Sequence, residues 1–551
     1  MKLKTFKVIA AILLSVAIVF VSMGYLTFRR SDSLKDVLFS TDNVVRDLNT
    51  ISSRYHSVLH PSGREFVRLY LCDRLRALGG APEVLEYDSI PSKFGGTMDI
   101  ADIYCRFDPE GKDALPDSYV MLVAHMDSRF PEETPDGTVC SYGAADDGYG
   151  LGVILELARG ALSYAREWNQ GLKILFTDAE EHELDGVRCA LEQDRHVFDG
   201  VGLVVNVEAR GVKGPCLLFE TSDGNSRLMD FYVDNAVYPY TYSLTSAVYR
   251  LMPNFTDFTH LKPLFPGYNF SVIDNLHYYH NDRDNFSNIH PESISHYGAQ
   301  LEPMLREFLT GEKYADPEYF LSDSDMIVFS VPGLGTFRLG QVGNFIFNAV
   351  VLVLFVMAFV LYLAFGRIRV RNVLANAFWL LLSGILLAAA GTGVVFCVTR
   401  LAGLPFSFTS VKYLDSDWII AAAALAATAA GYLYFFIRKS RRSENFVFEH
   451  LFGMLLSVLI LSGVLLFTIG ENFFLMFPAA CVLVALLLHV FVYMNIMSLP
   501  ASLLVEMVAL PFLYNLYTAL TVGSLGLVMF LMFIYLVMIT SLVRCYMAQK
   551  R

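Results

Sequence analysis

The sequence lacks the common cysteine-based metal and redox motifs. It contains eight cysteines, and no two of them are spaced as CxxC, which excludes a zinc ribbon and a thioredoxin-like site. Five of the cysteines lie between residues 31 and 341, so at most two disulfide bonds can form within that region. The cysteine pattern leaves the cellular compartment open.

The middle of the chain is also poor in basic residues. Residues 31–341 contain 25 Lys and Arg against 48 Asp and Glu, whereas the rest of the chain contains 17 against 6. Because a nucleic-acid-binding surface needs a basic face, we expect no nucleic acid partner. The basic residues at the two ends lie beside long apolar runs, which is typical of membrane topology signals.

Long apolar runs are present at both ends. The run from Lys7 to Phe28 is flanked by basic residues and is followed by no small-residue cleavage site, which favours an uncleaved membrane anchor over a signal peptide. Seven further membrane spans are predicted at approximately 342–365, 373–398, 417–437, 446–469, 473–495, 500–519 and 522–544.

The basic loops indicate how the chain is oriented. If the N-terminus is cytoplasmic, the Arg-rich stretches at 367–371 and 438–442 and the C-terminal tail all fall on the cytoplasmic side. The middle region is then extracytoplasmic, which means periplasmic or extracellular in a bacterium and lumenal in a eukaryote. We therefore predict an integral, multi-pass membrane protein with membrane lipid as a partner. Its three parts are a cytoplasmic tail with an N-terminal anchor at 1–31, an extracytoplasmic domain at 32–341 and a membrane domain of about seven helices at 342–551.

Two ionisable residues lie inside the predicted spans. Glu506 and His489 are functional candidates because charge in a membrane is costly. A hydrogen bond to a neighbouring helix explains each equally well. No HExxH motif lies in a span, so we assign no activity to this portion.

The middle region alternates short β-rich runs with amphipathic helices. YVMLVA at 119–124, LKILF at 172–176 and LVVNV at 203–207 are predicted to be strands, and a helix is predicted from about 148 to 165. This alternation predicts an α/β fold. In such sheets, reactive groups collect beyond the carboxyl ends of the strands.

Candidate metal ligands follow the predicted strands. His125 directly follows the first strand, and Asp127 is placed to orient its imidazole. Asp146 and Asp147 open the predicted helix, where one carboxylate can bridge two cations and the other can cap the helix. An HxD triplet alone is weak evidence for a metal site.

An acidic cluster follows LKILF at residues 177–185. It is too dense for a buried turn without cations to neutralise it, although a solvated acidic loop is an alternative. Of the adjacent Glu180 and Glu181, one can bind a metal while the other acts as a general base. The pair His182-Glu183 does not begin an HExxH motif, because position 186 is Gly.

Two further candidates complete the set. Glu208 ends the third strand, and His280 lies in a polar loop after the apolar run at 269–273. Two imidazoles and three carboxylates at strand ends provide the nitrogen and oxygen donors that zinc accepts.

Taken in order, the motifs HxD, GAxDDG, EE, NxE and YHxxxD resemble those of a known exported zinc peptidase family. This co-catalytic family includes aminopeptidase Y, secreted bacterial leucyl aminopeptidases and glutamate carboxypeptidase. The resemblance covers roughly residues 60–310. It implies a three-layer α/β sandwich with a mixed, mostly parallel sheet. Membrane-bound members, the endoplasmic reticulum metallopeptidases and vacuolar membrane proteases, also place such a domain ahead of several membrane helices.

The resemblance implies two zinc ions per chain and a peptide substrate, with aminopeptidase activity expected. Glu180 would be the general base, and Asp127 would orient a ligand. Most of the family has Asp where this chain has Glu208, and the extra methylene could alter occupancy of that site. The implied ligands are His125, Asp146 and Glu208 for one ion and Asp146, Glu181 and His280 for the other.

Three alternatives remain open. A glutaminyl cyclase shares this fold but uses one zinc ion, a receptor or complex subunit would keep the domain without catalysis, and a transporter would use it as a regulatory domain. Asp257 and His260 lie in a loop expected near the substrate pocket, either as neighbours of the metal site or as surface residues. Aminopeptidase, dipeptidase and carboxypeptidase action, side-chain preference and oligomeric state are left open by the sequence.

Overall fold

A computed structural model describes the fold of residues 2–26, 37–112, 114–134, 137–250, 252, 254–409, 411, 414–492 and 495–547. The chain forms two compact units. The α/β unit comprises residues 27–330 and 335–340, and the helical unit comprises 1–26, 331–334 and 341–551.

The strands of the described residues are β1 (Glu83–Pro91), β2 (Thr97–Phe107), β3 (Tyr119–His125), β4 (Glu132–Thr134), β5 (Gly137–Val139), β6 (Gly171–Thr177), β7 (Val201–Ala209), β8 (Leu217–Thr221), β9 (Gly267–Val272), β10 (Met326–Val331) and β11 (Gly335–Gly340). Seven of them form one sheet in the order β1-β2-β6-β3-β7-β9-β8. The pairs β4–β5 and β10–β11 form separate two-stranded sheets.

The α-helices of the described residues are α1 (Lys2–Leu26), α2 (Thr41–Ile51), α3 (Pro61–Ala77), α4 (Gly148–Leu162), α5 (Glu180–Glu183), α6 (Asp185–Gln193), α7 (Ser226–Asn235), α8 (Ser243–Tyr249), α9 (Phe258–Leu261), α10 (Pro291–Thr310), α11 (Gln341–Ala364), α12 (Val370–Leu401), α13 (Asp417–Arg442), α14 (Glu444–Thr468), α15 (Phe473–Val492), α16 (Ser498–Leu520) and α17 (Leu525–Met547). The predicted helix at 148–165 corresponds to α4, which ends three residues earlier.

The middle of the large sheet is parallel. Strands β6, β3, β7 and β9 run in one direction, and β2 and β8 pair antiparallel at either side of them. Every residue of these four parallel strands is buried. A parallel sheet of this kind is covered on both faces, which explains the uninterrupted apolar runs in the sequence.

Side chains of β3 show the two covered faces. Val120 and Leu122 belong to a core built with α3, α4 and α10, while Met121 and Val123 belong to a second core that includes Val187 of α6. Successive residues of a strand point to opposite faces of the sheet. The predicted three-layer α/β sandwich with a mixed, mostly parallel sheet is confirmed.

The N-terminal part of the α/β unit packs closely on α4 through glycines. A Cβ on Gly152 would lie 2.8 Å from Val44 Cγ1, and a Cβ on Gly160 would lie 2.2 Å from the carbonyl oxygen of Leu38. Side chains at these positions would push the N-terminal segment away. The glycines therefore hold α4, whose N-terminus carries the site described below, firmly in the core.

In the helical unit, the seven helices α11–α17 are each long and apolar enough to cross a membrane. They lie at the seven predicted positions, so the chain is a multi-pass membrane protein. Helix α1 contains a shorter apolar segment, Lys7–Ser22. Phe28 and the predicted boundary at residue 31 fall outside the described residues.

Helix α1 packs against α16 within this unit. The hydroxyl of Ser15 donates a hydrogen bond of 3.1 Å to Glu506 Oε1. Glu506 therefore bonds to a neighbouring helix, which is the simpler of its two predicted roles. His489 lies among aromatic rings, 5.7 Å from the ring centroid of Phe448.

Candidate metal centre

The five predicted ligands converge at the carboxyl edge of the parallel strands. His125 is the last residue of β3, Glu208 is near the end of β7, and Asp146 precedes α4. Glu181 lies in α5, which follows β6, and His280 lies in the loop after β9. All five side chains are buried. Five residues spread over the sequence are thus brought to one place in the fold.

The ligands form two groups that share Asp146. In the first group, His125 Nε2 lies 3.2 Å from Asp146 Oδ1 and 3.6 Å from Glu208 Oε2. In the second group, His280 Nε2 lies 3.3 Å from Asp146 Oδ2 and 3.0 Å from Glu181 Oε1. Within each group, one ligand atom per residue lies within 4.8 Å of the others. The two oxygens of Asp146 therefore face different histidines.

Several of these atoms are buried without a hydrogen-bond partner among the described residues. They are Asp146 Oδ2, Glu181 Oε1 and His280 Nε2. Burying a polar atom without a partner costs free energy, so such atoms call for an explanation. A cation held between them supplies the missing interaction, and nitrogen with carboxylate oxygen is a donor set that zinc accepts. The residues present therefore fit zinc.

The charges of the site shift several pKa values. Burial, and then the negative charge of Asp146, raises the pKa of Glu208 to about 8. Burial lowers the pKa of His125, but the surrounding carboxylates outweigh it and raise that pKa well above its usual value. Burial opposes ionisation of Glu181, yet its interactions with His280 and with the charge of Arg129 hold its pKa well below its usual value. These shifts favour proton binding by Glu208 and His125 when no cation is bound.

Asp127 connects the first histidine to the turn at the start of α5. His125 Nδ1 lies 2.9 Å from the carbonyl oxygen of Asp127 and 3.5 Å from its Oδ1. Asp127 Oδ1 also accepts a hydrogen bond from the main-chain N–H of Glu180 at 3.0 Å, and Oδ2 accepts one from Glu181 at 3.3 Å. The fully buried Asp127 carboxylate thus leaves Nε2 of His125 facing Asp146 and fixes the turn at the start of α5.

Glu180 lies beside the metal groups but belongs to neither. It is half-buried and is preceded by Ala179, which has a left-handed φ of 58°. Burial, together with the negative charges of Glu208 and Glu181, raises the pKa of Glu180 well above its usual value against the opposing effect of His125. A carboxylate in this environment has an increased tendency to accept a proton.

The two adjacent aspartates have different roles. Asp147 is the N-cap of α4, because its Oδ1 accepts the N–H of Gly150 at 3.1 Å. Its Oδ2 accepts the N–H of His125 at 3.3 Å. The sequence predicted that one of the pair would cap the helix, and the structure identifies it as Asp147, which leaves Asp146 to face both histidines.

Asp284 is a site residue to which sequence reasoning gave no role. Its Oδ1 accepts the N–H of Ala145 at 2.7 Å, and its Oδ2 accepts the Ser141 hydroxyl at 3.0 Å and the N–H of Asp146 at 3.3 Å. Burial and the charge of Asp146 raise the pKa of Asp284 to about 7. The signal in the sequence was its place as the last residue of the YHxxxD motif.

Arg129 is a second residue that sequence reasoning missed. Its Nη1 donates to Glu181 Oε2 at 2.8 Å, and its Nη2 lies 2.7 Å from Glu132 Oε1. Glu181 therefore accepts from Arg129 with Oε2, which leaves Oε1 beside His280 Nε2 and open to a cation. No motif in the sequence indicated this pairing.

A buried chain of polar side chains supports Glu208. Asn206 Nδ2 donates to Glu208 Oε1 at 3.2 Å and lies 3.0 Å from Asn269 Oδ1. Asn269 donates to Glu220 at 3.2 Å, and Glu220 pairs with Lys262 at 2.5 Å. These contacts fix the longer carboxylate side chain that replaces the aspartate usual in the resembling family.

Asp257 and His260 have different surroundings in the structure. Asp257 is fully buried, accepts a hydrogen bond from the Thr177 hydroxyl, and interacts electrostatically with His125. Burial raises the pKa of Asp257 to about 6. His260 is half-buried and has Arg188 among its charged neighbours. Of the two, Asp257 is the neighbour of the metal ligands.

The sequence of the α/β unit is similar to the sequences of known proteins. Residues 103–304 match the profile of Peptidase family M28. Endoplasmic reticulum metallopeptidase 1 of Mus musculus is 28% identical over 250 residues, which cover 44% of this chain and 27% of that protein. Vacuolar membrane protease of Schizosaccharomyces pombe is 24% identical over 311 residues, covering 52% of this chain and 34% of that protein. The similarity thus spans about a quarter to a third of these relatives.

Solved structures resemble half of the chain. A Zn-dependent exopeptidase from Parabacteroides distasonis has 18% identity and a TM-score of 0.39, and covers 50% of this chain and 98% of its own. Glutaminyl cyclase from Porphyromonas gingivalis has 19% identity and a TM-score of 0.39, and covers 50% of this chain and 100% of its own. The profile match includes all five clustered ligands, and the chain therefore contains a domain of Peptidase family M28.

Proposed function

We propose that the chain is a zinc-dependent exopeptidase, and more narrowly an aminopeptidase, that uses two zinc ions around Asp146. One observation carries this proposal: Asp146 Oδ1 faces His125 at 3.2 Å while Asp146 Oδ2 faces His280 at 3.3 Å. Each histidine belongs to its own group of three buried ligands. Two such groups with one shared carboxylate suit a pair of ions, and the family of the domain supports peptide hydrolysis.

Each side chain has a part in the proposed reaction. The zinc ions, when bound, would polarise the scissile carbonyl and lower the pKa of a water molecule. Glu180 takes a proton from the attacking water and passes it to the leaving amine. Asp127 holds His125 in orientation and holds the backbone of Glu180. The ions would be held by His125, Asp146 and Glu208 and by Asp146, Glu181 and His280.

The proposed substrates are peptides on the extracytoplasmic side of a membrane. The basic residues at 367–371 and 438–442 flank membrane helices and support a cytoplasmic position for those loops. The catalytic domain at 32–341 would then face the opposite side, between the anchor at 1–31 and the membrane domain at 342–551.

The proposal is tested with purified, zinc-loaded full-length chain and aminoacyl chromogenic amides. We expect hydrolysis that a chelator abolishes. Glu180→Gln should lower kcat by about 10²- to 10⁴-fold, because it removes the proton acceptor. Zinc content should stay the same, since Glu180 belongs to neither ligand group. Glu183→Gln changes an exposed residue of the same turn and serves as the matched control.

The same assay separates the alternatives. Full hydrolysis by Glu180→Gln would remove the role proposed for that residue. Cyclisation of an N-terminal glutaminyl peptide without amide hydrolysis would identify a glutaminyl cyclase. Zinc binding without either reaction would favour a receptor or transporter subunit.

A further inference from the structure

The helical unit contains a cavity between α12, α13, α14 and α17. Its volume is about 480 Å³, and sites for small molecules usually measure about 300–1,000 Å³. Most of the lining side chains are aliphatic or aromatic, and no Lys, Arg, Asp or Glu is among the described residues that line it. A charged ligand would leave its charge without a partner here, so the cavity suits an uncharged, largely apolar molecule.

The cavity opens on the outer surface of the helical unit. Three of its lining residues, Trp379, Leu386 and Phe435, are 61%, 59% and 43% exposed. The inner wall is buried and includes Leu380 and Phe533. Helices α12 and α13 are each able to cross a membrane, so the exposed apolar side chains on their outer surface contact lipid. A membrane lipid can therefore enter the cavity from the side.

Polar side chains gather at one end of the cavity. Asn376 and His450 line it and lie about 9 Å from the N-terminal ends of α12 and α14. Tyr432 lines it from α13, about 9 Å before the basic stretch at 438–442. The basic stretch at 367–371 lies at the start of α12. The polar end is thus the end near the basic loops, close to the level at which lipid head groups lie.

Hydrogen bonds determine which ring nitrogen of His450 is an acceptor. The Nδ2 group of Asn376 donates to the carbonyl oxygen of Asn372 at 2.8 Å, and Asn376 Oδ1 lies 3.0 Å from His450 Nδ1. Because an amide oxygen can only accept, Nδ1 of His450 carries the hydrogen. In the neutral ring, Nε2 is then an acceptor. It lies 3.3 Å from the Tyr432 hydroxyl, at the polar end of the cavity.

The polar end of the cavity is short of one hydrogen. The Tyr432 hydroxyl lies 3.3 Å from His450 Nε2 and 3.2 Å from Thr540 Oγ1. The Thr540 hydroxyl donates its own hydrogen to the Leu536 carbonyl at 2.6 Å, so it can only accept from Tyr432. The single hydroxyl hydrogen of Tyr432 therefore faces two acceptors. His450 is buried, and a buried acceptor without a donor is costly, so a ligand that brings one hydroxyl group is favoured.

We propose that this cavity binds a sterol whose hydroxyl group donates its hydrogen to Nε2 of His450. The Tyr432 hydroxyl then keeps its hydrogen for Thr540, and each acceptor has a donor. A lipid with a phosphate head group is disfavoured, because no Lys or Arg is among the described residues that line the cavity. The inference goes beyond the proposed hydrolysis and does not depend on it.

The shape of the cavity favours a rigid ligand over flexible acyl chains. Its lining extends along α12 from Asn376 to Leu387, a distance of about 16 Å. A fused-ring body can fill an elongated space without losing much conformational entropy, whereas each acyl chain would lose the freedom of many bonds. The aromatic rings of Trp379, Phe435 and Phe533 offer flat apolar surfaces to such a body.

Competition binding to the purified full-length chain in detergent tests the hydroxyl contact. The probe is cholesterol with a photoreactive diazirine in its tail, and the competitors are cholesterol and its 3-ketone, which has no hydrogen to donate. We expect cholesterol to compete about 2- to 10-fold better than the ketone, as one hydrogen bond provides. His450→Phe removes the acceptor and should bring that ratio near one. His489→Phe changes a histidine of α15 that does not line the cavity and should keep the wild-type ratio.

A second pair of variants tests whether the probe occupies the cavity. Gly431 lines the cavity and has no atom within 4 Å of its Cβ position, so Gly431→Leu fills the space without a clash. We expect photolabelling of wild-type peptides from α12, α13, α14 and α17, and its loss in Gly431→Leu. Gly463 of α14 also has no atom within 4 Å of its Cβ position but does not line the cavity, so Gly463→Leu should be labelled as the wild type is.

Three results would overturn the proposal. Photolabelling spread evenly over α11–α17, or persisting in correctly folded Gly431→Leu, would show that the cavity is not the binding site. Equal competition by cholesterol and its ketone would remove the hydrogen bond to His450. Competition by a diacylglycerol or a phosphatidylcholine as strong as that by cholesterol would show that the cavity does not select a sterol.

Discussion

Protons and metal ions compete for the same side-chain atoms around Asp146. Burial and neighbouring carboxylates raise the pKa of Glu208 to about 8 and raise that of His125 well above its usual value. Both residues must lose their protons before they can bind a cation. The apparent affinity for zinc therefore depends on pH through identified residues.

Zinc binding at neutral pH should release protons. At pH 7 the metal-free chain keeps protons on Glu208 and His125, so a cation must displace them, and its apparent affinity should rise with pH and fall as pH drops. Calorimetric titration in two buffers of different ionisation enthalpy measures the protons released. Equal heats in both buffers, with an affinity unchanged between pH 6 and 8, would contradict this reading of the site.

At the scale of elements, two loops from distant parts of the sequence hold the shared ligand. The segment before α4 presents Asp146, and the loop after β9 presents both His280 and Asp284. Asp284 accepts hydrogen bonds from the N–H groups of Ala145 and Asp146, so the second loop fixes the first. This contact between loops positions the carboxylate that is proposed to bridge the two ions.

Replacing Asp284 by Asn should weaken metal binding while leaving the fold intact. The amide keeps the shape but can turn an N–H group toward the N–H donors of Ala145 and Asp146, so the position of Asp146 becomes less well defined. We expect zinc affinity to fall by about 10- to 100-fold, measured by chelator competition. Asp282→Asn alters an exposed carboxylate of the same loop and should bind zinc as the wild type does. Wild-type affinity in Asp284→Asn would show that this contact is dispensable.

Several site residues could be predicted from the sequence because they lie at the ends of buried strands. Buried strands are visible as apolar runs, so the polar residues that end them, such as His125 and Glu208, stand out in the sequence. The roles of Arg129, Asn206 and Asp284 depend on hydrogen bonds that form only in the folded structure, and no periodicity in the sequence records those contacts. The sequence likewise could not show which of Asp146 and Asp147 caps α4, because that depends on the geometry at the start of the helix.

At the scale of the whole molecule, the chain couples a family M28 domain to seven helices able to cross a membrane. The spans were predictable because about 20 consecutive apolar residues are rare outside membranes. Their orientation depends on where basic residues accumulate, which is a property of the sequence rather than of the fold. The side on which the domain lies is therefore a prediction that topology experiments must test.

Epitope tags can test that orientation. Gly111 lies in the loop between β2 and β3, and Gly366 lies between α11 and α12; neither has an atom within 4 Å of its Cβ position, so both sites have room for an insertion. In sealed vesicles with the cytoplasmic face outward, an antibody should reach a tag after Gly366. A tag after Gly111 should become accessible only when detergent opens the vesicles. The reverse pattern would place the catalytic domain in the cytoplasm.

The most direct test of the central claim is an anomalous-scattering map of zinc-loaded protein. We predict two zinc peaks on either side of Asp146, one contacted by His125 and Glu208 and the other by Glu181 and His280. A single peak, or two peaks that do not share Asp146, would contradict the two-zinc centre proposed for this chain.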